Sequence, residues 1–404
     1  MTLHSLRRTV YSLFVLTTCM CLTTGCWDMV EPNQRALWVG SAVDAAPKGR
    51  VRLSGQILVP SAMAEGKQLG ARTDIVKSAT GANISDAMAR LQQQVSRKTY
   101  LSHRLAWFVG EPMAKRGFKT LLDEFGRNPD SNLRTYILVV KGADGAEFLK
   151  GTTFLDGTAT LSAVRTIRFG DFKEKAANLR FFAAESLKDG QRPLALAIEP
   201  RSASSSARSS STGEPSPTEA PFYIRDIALF DKHGRLAGFL TDQQADTAAW
   251  VAGQLARESL TVYMPEGQGT VTLHLQHVHR HIDSLLQHGT ILVRVSLSGT
   301  GLVIENNSSL DLSQPQNLHY VQRRFEESIA GQTRRVIAEV QQNYGTDIFG
   351  FGEDIHRRYP YPWRGLRGQW DEQFRQLKTD VKVKLSIRHQ GQRGPGYVGN
   401  DENA

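Results

Sequence analysis

Four histidines in one short polar stretch are the residues whose type and spacing most directly suggest metal chemistry. The stretch HLQHVHRH contains His274, His277, His279 and His281. On a β-strand, the last three would share one face at a spacing of about 7 Å, and two neighbouring imidazoles could bind one Zn²⁺. Asp283 would lie on that face, but no Asp, Glu or Cys is fixed nearby as a further ligand. We therefore interpret the stretch as a polar, solvent-facing strand and expect no metal site and no cofactor.

Carboxylates near a glycine-containing turn are the next candidates for chemistry. Asp347, Glu353 and Asp354 flank the sequence FGFG at Phe349–Gly352. Two such carboxylates could act as general acid and base, but carboxylates beside a turn and a helix start usually cap the helix. Signature motifs of zinc proteases, P-loop enzymes, serine hydrolases and dinucleotide-binding enzymes are absent from the sequence. We predict no catalytic residue and no enzymatic activity.

A cysteine at position 26 follows a segment that has the layout of an export signal. Two arginines precede a short apolar stretch, Val10 to Leu22, which is shorter than the ~20 residues that span a bilayer. The sequence TTGC resembles the lipobox of bacterial lipoproteins, except that Thr23 stands where Leu is usual. We predict that residues 1–25 are a cleaved signal peptide and that Cys26 is lipidated. The alternative is ordinary cleavage beside an incidental thiol.

Cysteine count and charge restrict the compartment and the partners. The chain has three cysteines, and Cys19 and Cys21 lie within the predicted signal peptide, so no internal disulfide is expected. Its formal net charge is +9. Such a surface could face anionic lipid or nucleic acid, but 22% charged residues of mixed sign is ordinary. The sequence shows no clustered basic and aromatic face, so we expect no nucleic-acid partner.

Composition divides the remaining chain into two halves. Residues 200–221 are rich in serine and proline, which indicates a flexible linker. We predict an N-terminal α/β domain over residues 26–199 and a C-terminal α/β region of two lobes over residues 222–388. The tail, residues 389–404, is predicted to be disordered.

Alternating strands and helices are predicted in both halves. The first half contains two strands around a turn at Ala46–Gly49, a helix with Ser85 as its N-cap, and the buried strands LAWFVG and LRTYILVV. The second half contains a hairpin with DKHG at its tip, a long helix with an apolar stripe from Phe325 to Tyr344, and a final strand, VKVKLSI. The expected fold class is multi-domain α+β with largely antiparallel sheets.

Four segments, in order along the chain, carry a resemblance to a known family. They are GCWDMVEPNQRALWVG, YLSHRLAWFVGEPMAKRGFKTLLDEFGRNPDSNLRTYILVVKG, ALFDKHGRLAGFLTDQQADTAAWVAGQL, and YGTDIFGFGEDIHRRYPYPW followed by WDEQF. Together they resemble the Ger(x)C family of spore germination lipoproteins, the C subunits of germinant receptors. The matching segments extend from Gly25 to about Arg388.

The resemblance implies a location, partners and a fold. Family members are lipid-anchored on the outer face of the spore inner membrane and assemble with two integral membrane subunits into receptors for small nutrients. The resemblance also implies three mixed α/β domains and a complex that as a whole responds to the small-molecule germinant; it leaves open whether this subunit contacts the germinant itself or only through the complex. An alternative of a different class is a lipid-anchored extracytoplasmic solute-binding protein, which would need a deep cleft between lobes.

Overall fold

The computed structural model describes residues 3–22, 34–59, 74–128, 131–151, 156–200, 222–287 and 290–388. Cys26 lies outside the described residues, as do the predicted linker from residue 201 onward and the predicted tail, residues 389–404.

Thirteen strands and twelve α-helices are found in the described residues. The strands are β1 (Arg35–Ala45), β2 (Val51–Leu58), β3 (Asp74–Gly81), β4 (Lys98–Tyr100), β5 (Ala106–Gly110), β6 (Tyr136–Val140), β7 (Leu194–Pro200), β8 (Phe222–Phe230), β9 (Leu236–Leu240), β10 (Glu258–Met264), β11 (Gly269–Gln287), β12 (Thr290–Asn306) and β13 (Lys378–Arg388). The α-helices are α1 (Leu3–Leu22), α2 (Ile84–Gln92), α3 (Glu111–Arg116), α4 (Lys119–Arg127), α5 (Gly145–Lys150), α6 (Ala159–Phe169), α7 (Leu179–Ser186), α8 (Asp242–Val251), α9 (Pro315–Glu339), α10 (Phe351–Arg358), α11 (Pro360–Leu366) and α12 (Trp370–Gln376).

The larger sheet has nine strands in the order β3-β2-β1-β5-β6-β7-β8-β9, with β4 beside β1. Strands β1, β5, β6 and β7 are parallel. Strands β5 and β6 are buried throughout, as expected for central parallel strands. Alternate residues enter different cores: Phe108 and Leu138 belong to one apolar cluster, and Trp107 and Ile137 belong to the other.

The predicted hairpin with DKHG at its tip is confirmed as β8 and β9, which pair antiparallel. Strand β8 also pairs antiparallel with β7, so that Leu194 lies opposite Leu229. The larger sheet therefore takes strands from both sides of the predicted linker.

The smaller sheet consists of β10, β11, β12 and β13 in that order, with β12 and β13 parallel. The long helix α9 packs on β13. Its predicted apolar stripe is confirmed, because Phe325, Ile329 and Val336 are buried, while Val381, Leu385 and Ile387 of β13 are buried on the facing strand. Helix α9 and this sheet thus form the core of the second half.

The predicted mixed α/β class is confirmed, and six of the eleven strand pairings in the described residues are antiparallel. One predicted cap is wrong: α2 is capped by Asn83, whose side chain accepts from the Asp86 amide, and Ser85 lies inside the helix. Among the described helices, none combines the length and the apolar character that crossing a membrane requires.

Candidate functional site

The loop between the long helix α9 and helix α10 forms the junction between the two sheets. Helix α9 continues into a single π-helical turn and ends at Gly345, which has φ +63°. A second left-handed glycine, Gly350 at φ +79°, precedes α10. Both positions favour glycine because a Cβ is strained in this region of φ. The predicted glycine turn after the long helix is confirmed.

The carboxylate of Asp347 is the centre of this junction. Its side chain is fully buried. One oxygen, Oδ1, accepts from the amides of Phe349 (3.0 Å), Gly350 (2.9 Å) and Phe351 (3.3 Å). The other, Oδ2, accepts from the amide of Gly352 at 2.8 Å and from the indole Nε1 of Trp370 at 3.0 Å. Asp347 therefore caps α10 and fixes α12 to it, as the capping interpretation predicted.

Burial and hydrogen bonding act on Asp347 in opposite directions. Burial raises the pKa of its carboxyl above the ordinary value, while the bonds from the backbone amides and Trp370 lower it. Five donors surround the two oxygens. The Asp347 carboxylate therefore has a structural role, because these donors occupy the lone pairs that a proton-transfer step would use.

Backbone groups of the same loop bind both sheets. The Asp347 carbonyl accepts from the amide of Arg192 at 2.7 Å, just before β7. Thr346 donates its hydroxyl to the carbonyl of Phe230 in β8 at 2.6 Å. From the other side, Arg280 of β11 donates to the carbonyl of Phe349 at 2.6 Å. The junction thus joins the larger sheet, the smaller sheet and the helices α10 to α12.

Glycine at position 190 allows the backbones to approach closely at this junction. A Cβ placed on Gly190 would lie 2.4 Å from the carbonyl carbon of Gly352. A Cβ on Gly352 would in turn lie 2.6 Å from the Trp370 ring. A larger side chain at Gly190 or Gly352 would push the segment before β7 away from helices α10 and α12.

The other carboxylates near the turn also serve structural contacts. Asp354 is buried, accepts from the Ser284 amide at 3.0 Å and pairs with Arg357 at 2.5 Å and Arg358 at 3.0 Å. These bonds fix α10 against β11. Glu353 is partly exposed and lies 3.7 Å from the ring of His356.

The four histidines lie on β11, but the strand is irregular where they occur. The pairing of β11 with β12 shifts between Gln276 and His279, and His277 has φ +49°. The regular strand on which the shared-face argument rested is therefore interrupted at His277. His274 instead contacts the Ser259 hydroxyl at 3.0 Å. In the described part of the chain, no group of three or more His, Cys, Asp or Glu side chains is arranged to hold a metal ion.

The solute-binding alternative requires a deep cleft between lobes, so the positions and volumes of the cavities matter to it. A pit of ≈ 260 Å³ lies where the two sheets meet, lined among others by Lys173, Lys175, Glu185, Gln254 and Arg280. This is below the ~300–1,000 Å³ of small-molecule pockets. A larger groove of ≈ 580 Å³ lies within the first half of the chain, and one of ≈ 550 Å³ is lined by residues of both halves, among them Lys141, Glu199 and Arg225.

Sequence reasoning missed Arg192, Arg280 and Trp370 as partners of the junction. Arg280 is a charged residue within a strand that is otherwise apolar on its inner face, and burial lowers the pKa of its guanidinium. Trp370 stands in the WDEQF segment, which the resemblance singled out. An arginine among the apolar residues of a strand and a tryptophan near a glycine turn are the signals that could have suggested these contacts.

The fold and the junction define a mixed α/β protein in which the fully buried carboxylate of Asp347 lies where the two sheets meet. Comparison with known proteins agrees with this class. Residues 28–182 match the model of the spore germination protein N-terminal domain, and residues 225–391 match the model described as spore germination B3/GerAC like, C-terminal. The chain belongs to this family of spore germination proteins, the Ger(x)C family.

Relatives align with the chain over nearly its whole length. Spore germination protein KC of Bacillus subtilis is 22% identical over 378 residues, which cover 91% of this chain and 93% of that protein. Spore germination protein B3 of the same organism is 22% identical and covers 93% of this chain and 95% of its own length. The crystal structure of the GerBC protein superposes with a TM-score of 0.50 at 18% identity, covering 86% of this chain and 96% of that one. This last likeness shows the shared fold.

Proposed function

We propose that the protein is a lipid-anchored, non-enzymatic subunit of a spore germinant receptor. The observation that carries this proposal is that both halves of the chain match the family's two domain models. The relatives KC and B3 are spore germination proteins that align nearly end to end. The proposed location is the outer face of the spore inner membrane.

The anchor is proposed to be a diacylglyceryl thioether at Cys26, after removal of residues 1–25. The TTGC sequence supports it. Two or three acyl chains, at about 0.8 kcal/mol per buried methylene, would hold the protein stably at the membrane. Confinement to the membrane surface would raise the effective concentration of the protein near integral membrane partners.

The proposed role is assembly and not chemistry. The two buried carboxylates beside the glycine turn, Asp347 and Asp354, are engaged by backbone amides, an indole and arginines. We propose integral membrane receptor subunits as partners. In the proposed division, residues 26–199 and 222–388 are two regions joined by residues 200–221, and β8 and β9 of the second region complete the larger sheet of the first.

Affinity capture from spore membranes tests this assignment. Tagged wild-type protein should remain in the membrane fraction and capture integral membrane receptor subunits, and the peptide containing Cys26 should carry the mass of a lipid. Cys26→Ala should leave the membrane fraction after a high-salt wash. Capture of no membrane subunit, together with binding of a nutrient by the purified soluble protein alone, would contradict the proposal in favour of a solute-binding protein.

A further inference from the structure

The last residues of α10, helix α11 and the residues before α12 form an exposed surface. We call residues 356–369, HRRYPYPWRGLRGQ, the arginine-rich tip. It contains four arginines and neither Asp nor Glu. Its side chains are exposed except for buried Trp363 and half-buried Tyr359 and Leu366. Tyr361 is 78% exposed. A clustered basic and aromatic face, which the sequence did not predict, is present here.

Two of the four arginines have no acidic partner. Arg357 and Arg358 pair with Asp354, and Arg358 also pairs with Asp283 at 2.7 Å. In the part of the chain that the structure describes, Arg364 and Arg367 form no ion pair. The Arg364 guanidinium lies 5.5 Å from the centre of the Tyr361 ring. The tip therefore presents two uncompensated positive charges beside an exposed tyrosine.

Aromatic packing beneath the tip holds it in place. Trp363 stacks on His356 at 5.5 Å and packs edge-on against Trp370 at 5.3 Å. Trp370 is in turn fixed by its hydrogen bond to Asp347. The exposed side chains are thus attached to a backbone held by packed aromatic rings, which lowers the entropic cost of binding a surface.

Sheet topology places the tip at the edge where the anchored end of the chain enters. Strands β1, β5, β6 and β7 are parallel neighbours, so they begin toward the same end of the sheet, with Arg35 five residues before Gly40, which pairs with Ala106 at the start of β5. Arg192, just before β7, is bound to the Asp347 carbonyl and, at 3.1 Å, to Asp371 beside Trp370. Three strand spacings separate β1 from β7, which is about 14 Å.

The chain before β1 is short. Cys26 precedes Arg35 by nine residues, and nine residues can span at most about 32 Å. A bilayer holding Cys26 would therefore lie within about 32 Å of the first residue of β1, toward the end of the sheet where Arg192 contacts Asp371.

We propose that the arginine-rich tip binds anionic lipid headgroups, as a second contact with the membrane besides the acyl anchor. The inference rests on the proposed function, which places the chain at a membrane. Arginine supplies the charge that anionic headgroups attract, and an exposed tyrosine flanked by prolines suits the membrane–water interface. The short reach of the chain from Cys26 favours a lipid surface over an acidic protein segment as the occupant.

Vesicle binding without the acyl anchor tests the tip independently of Cys26. The chain from residue 26 onward, carrying Cys26→Ala, is mixed with vesicles of about one third phosphatidylglycerol in phosphatidylcholine. The chain with the wild-type tip should bind these vesicles. The triple variant Tyr361→Ser/Arg364→Gln/Arg367→Gln should bind them roughly 25-fold more weakly, because each of the two arginines contributes about fivefold to affinity for an anionic surface. Binding should vanish on pure phosphatidylcholine and at about 0.5 M salt.

A matched variant controls for overall charge. Tyr263→Ser/Arg334→Gln/Arg335→Gln removes one exposed tyrosine and two exposed arginines elsewhere, and it should bind within about twofold of the wild type. Thermal unfolding should show that both variants fold. No binding by the wild type, or equal losses in both variants, would overturn the proposal. If the tip instead binds a polyglutamate peptide and ignores vesicles, its partner is an acidic protein segment and the lipid assignment is wrong.

Discussion

Replacing Asp347 with Asn tests whether the buried carboxylate holds the two sheets and the last helices together. The side chain is fully buried, and Asn is nearly isosteric. One oxygen becomes an NH₂ group that cannot accept. If Oδ2 is replaced, the Gly352 amide and the Trp370 indole lose their acceptor; if Oδ1 is replaced, three amides lose theirs.

The expected loss follows from the number of donors left without a partner. Each buried unsatisfied donor costs about 1–3 kcal/mol, and removal of the buried charge offsets part of this. We therefore expect Asp347→Asn to lower the free energy of unfolding by about 2–4 kcal/mol. The control Asp371→Asn alters one partly exposed contact, to Arg192, and should cost at most about 1 kcal/mol.

Urea unfolding followed by tryptophan fluorescence measures the effect, because Trp363 and Trp370 lie at the junction. A double-mutant cycle with Trp370 tests the contact between the two side chains more specifically. Trp370→Phe removes one of the donors that Asp347 accepts, so the double variant should lose less stability than the two single losses added together. A change within about 0.5 kcal/mol for Asp347→Asn, or strictly additive losses, would refute the role assigned to this carboxylate.

Two further predictions concern a buried glutamate and a left-handed glycine. Burial, with smaller contributions from nearby Asp246 and Asp171, raises the pKa of Glu258 from 4.5 to about 8. The raised pKa means that the folded state binds the proton more tightly than the unfolded state. The wild type should therefore lose about 2–3 kcal/mol of stability between pH 6 and pH 9 in urea titrations, and Glu258→Gln should flatten that loss. If the pH profile of the variant is the same as that of the wild type, the assignment is wrong. Gly350→Ala forces a Cβ onto φ +79° and to within 2.8 Å of the Gln191 side chain, so the melting temperature should fall with a cost of about 1–2 kcal/mol. Gly365→Ala, within α11 and with open space around its Cα, should be neutral or slightly stabilising, and equal effects of the two substitutions would show that backbone strain is not the cause.

Periodicity and turn chemistry made much of the fold predictable. The long helix α9 follows from an apolar stripe that repeats at helical spacing, and the hairpin β8–β9 follows from two apolar runs around a polar turn. The capping role of Asp347 was predictable in kind, because a carboxylate beside glycines usually accepts from free amides at a helix start. Its partner Trp370 was not, since that contact joins residues distant in sequence.

Features that depend on tertiary contacts could not be predicted from the sequence. The bulge at His277 arises from the register between β11 and β12, and an alternating polar strand carries no mark of an inserted residue. Asn83 and Ser85 are both good N-caps, and sequence alone could not separate them. The arginine-rich tip was not predicted as a basic and aromatic face, because the exposure of its side chains depends on the burial of Trp363 and Trp370.

Dipicolinate release from spores tests the central claim, that this chain is an anchored receptor subunit, most directly. Spores carrying wild-type protein, Cys26→Ala or a deletion would be compared across a panel of amino acids and sugars. The account predicts that the deletion abolishes release in response to at least one nutrient and that Cys26→Ala strongly reduces the same response. Release unchanged in both strains for every nutrient to which wild-type spores respond, in a background without other receptors, would contradict it.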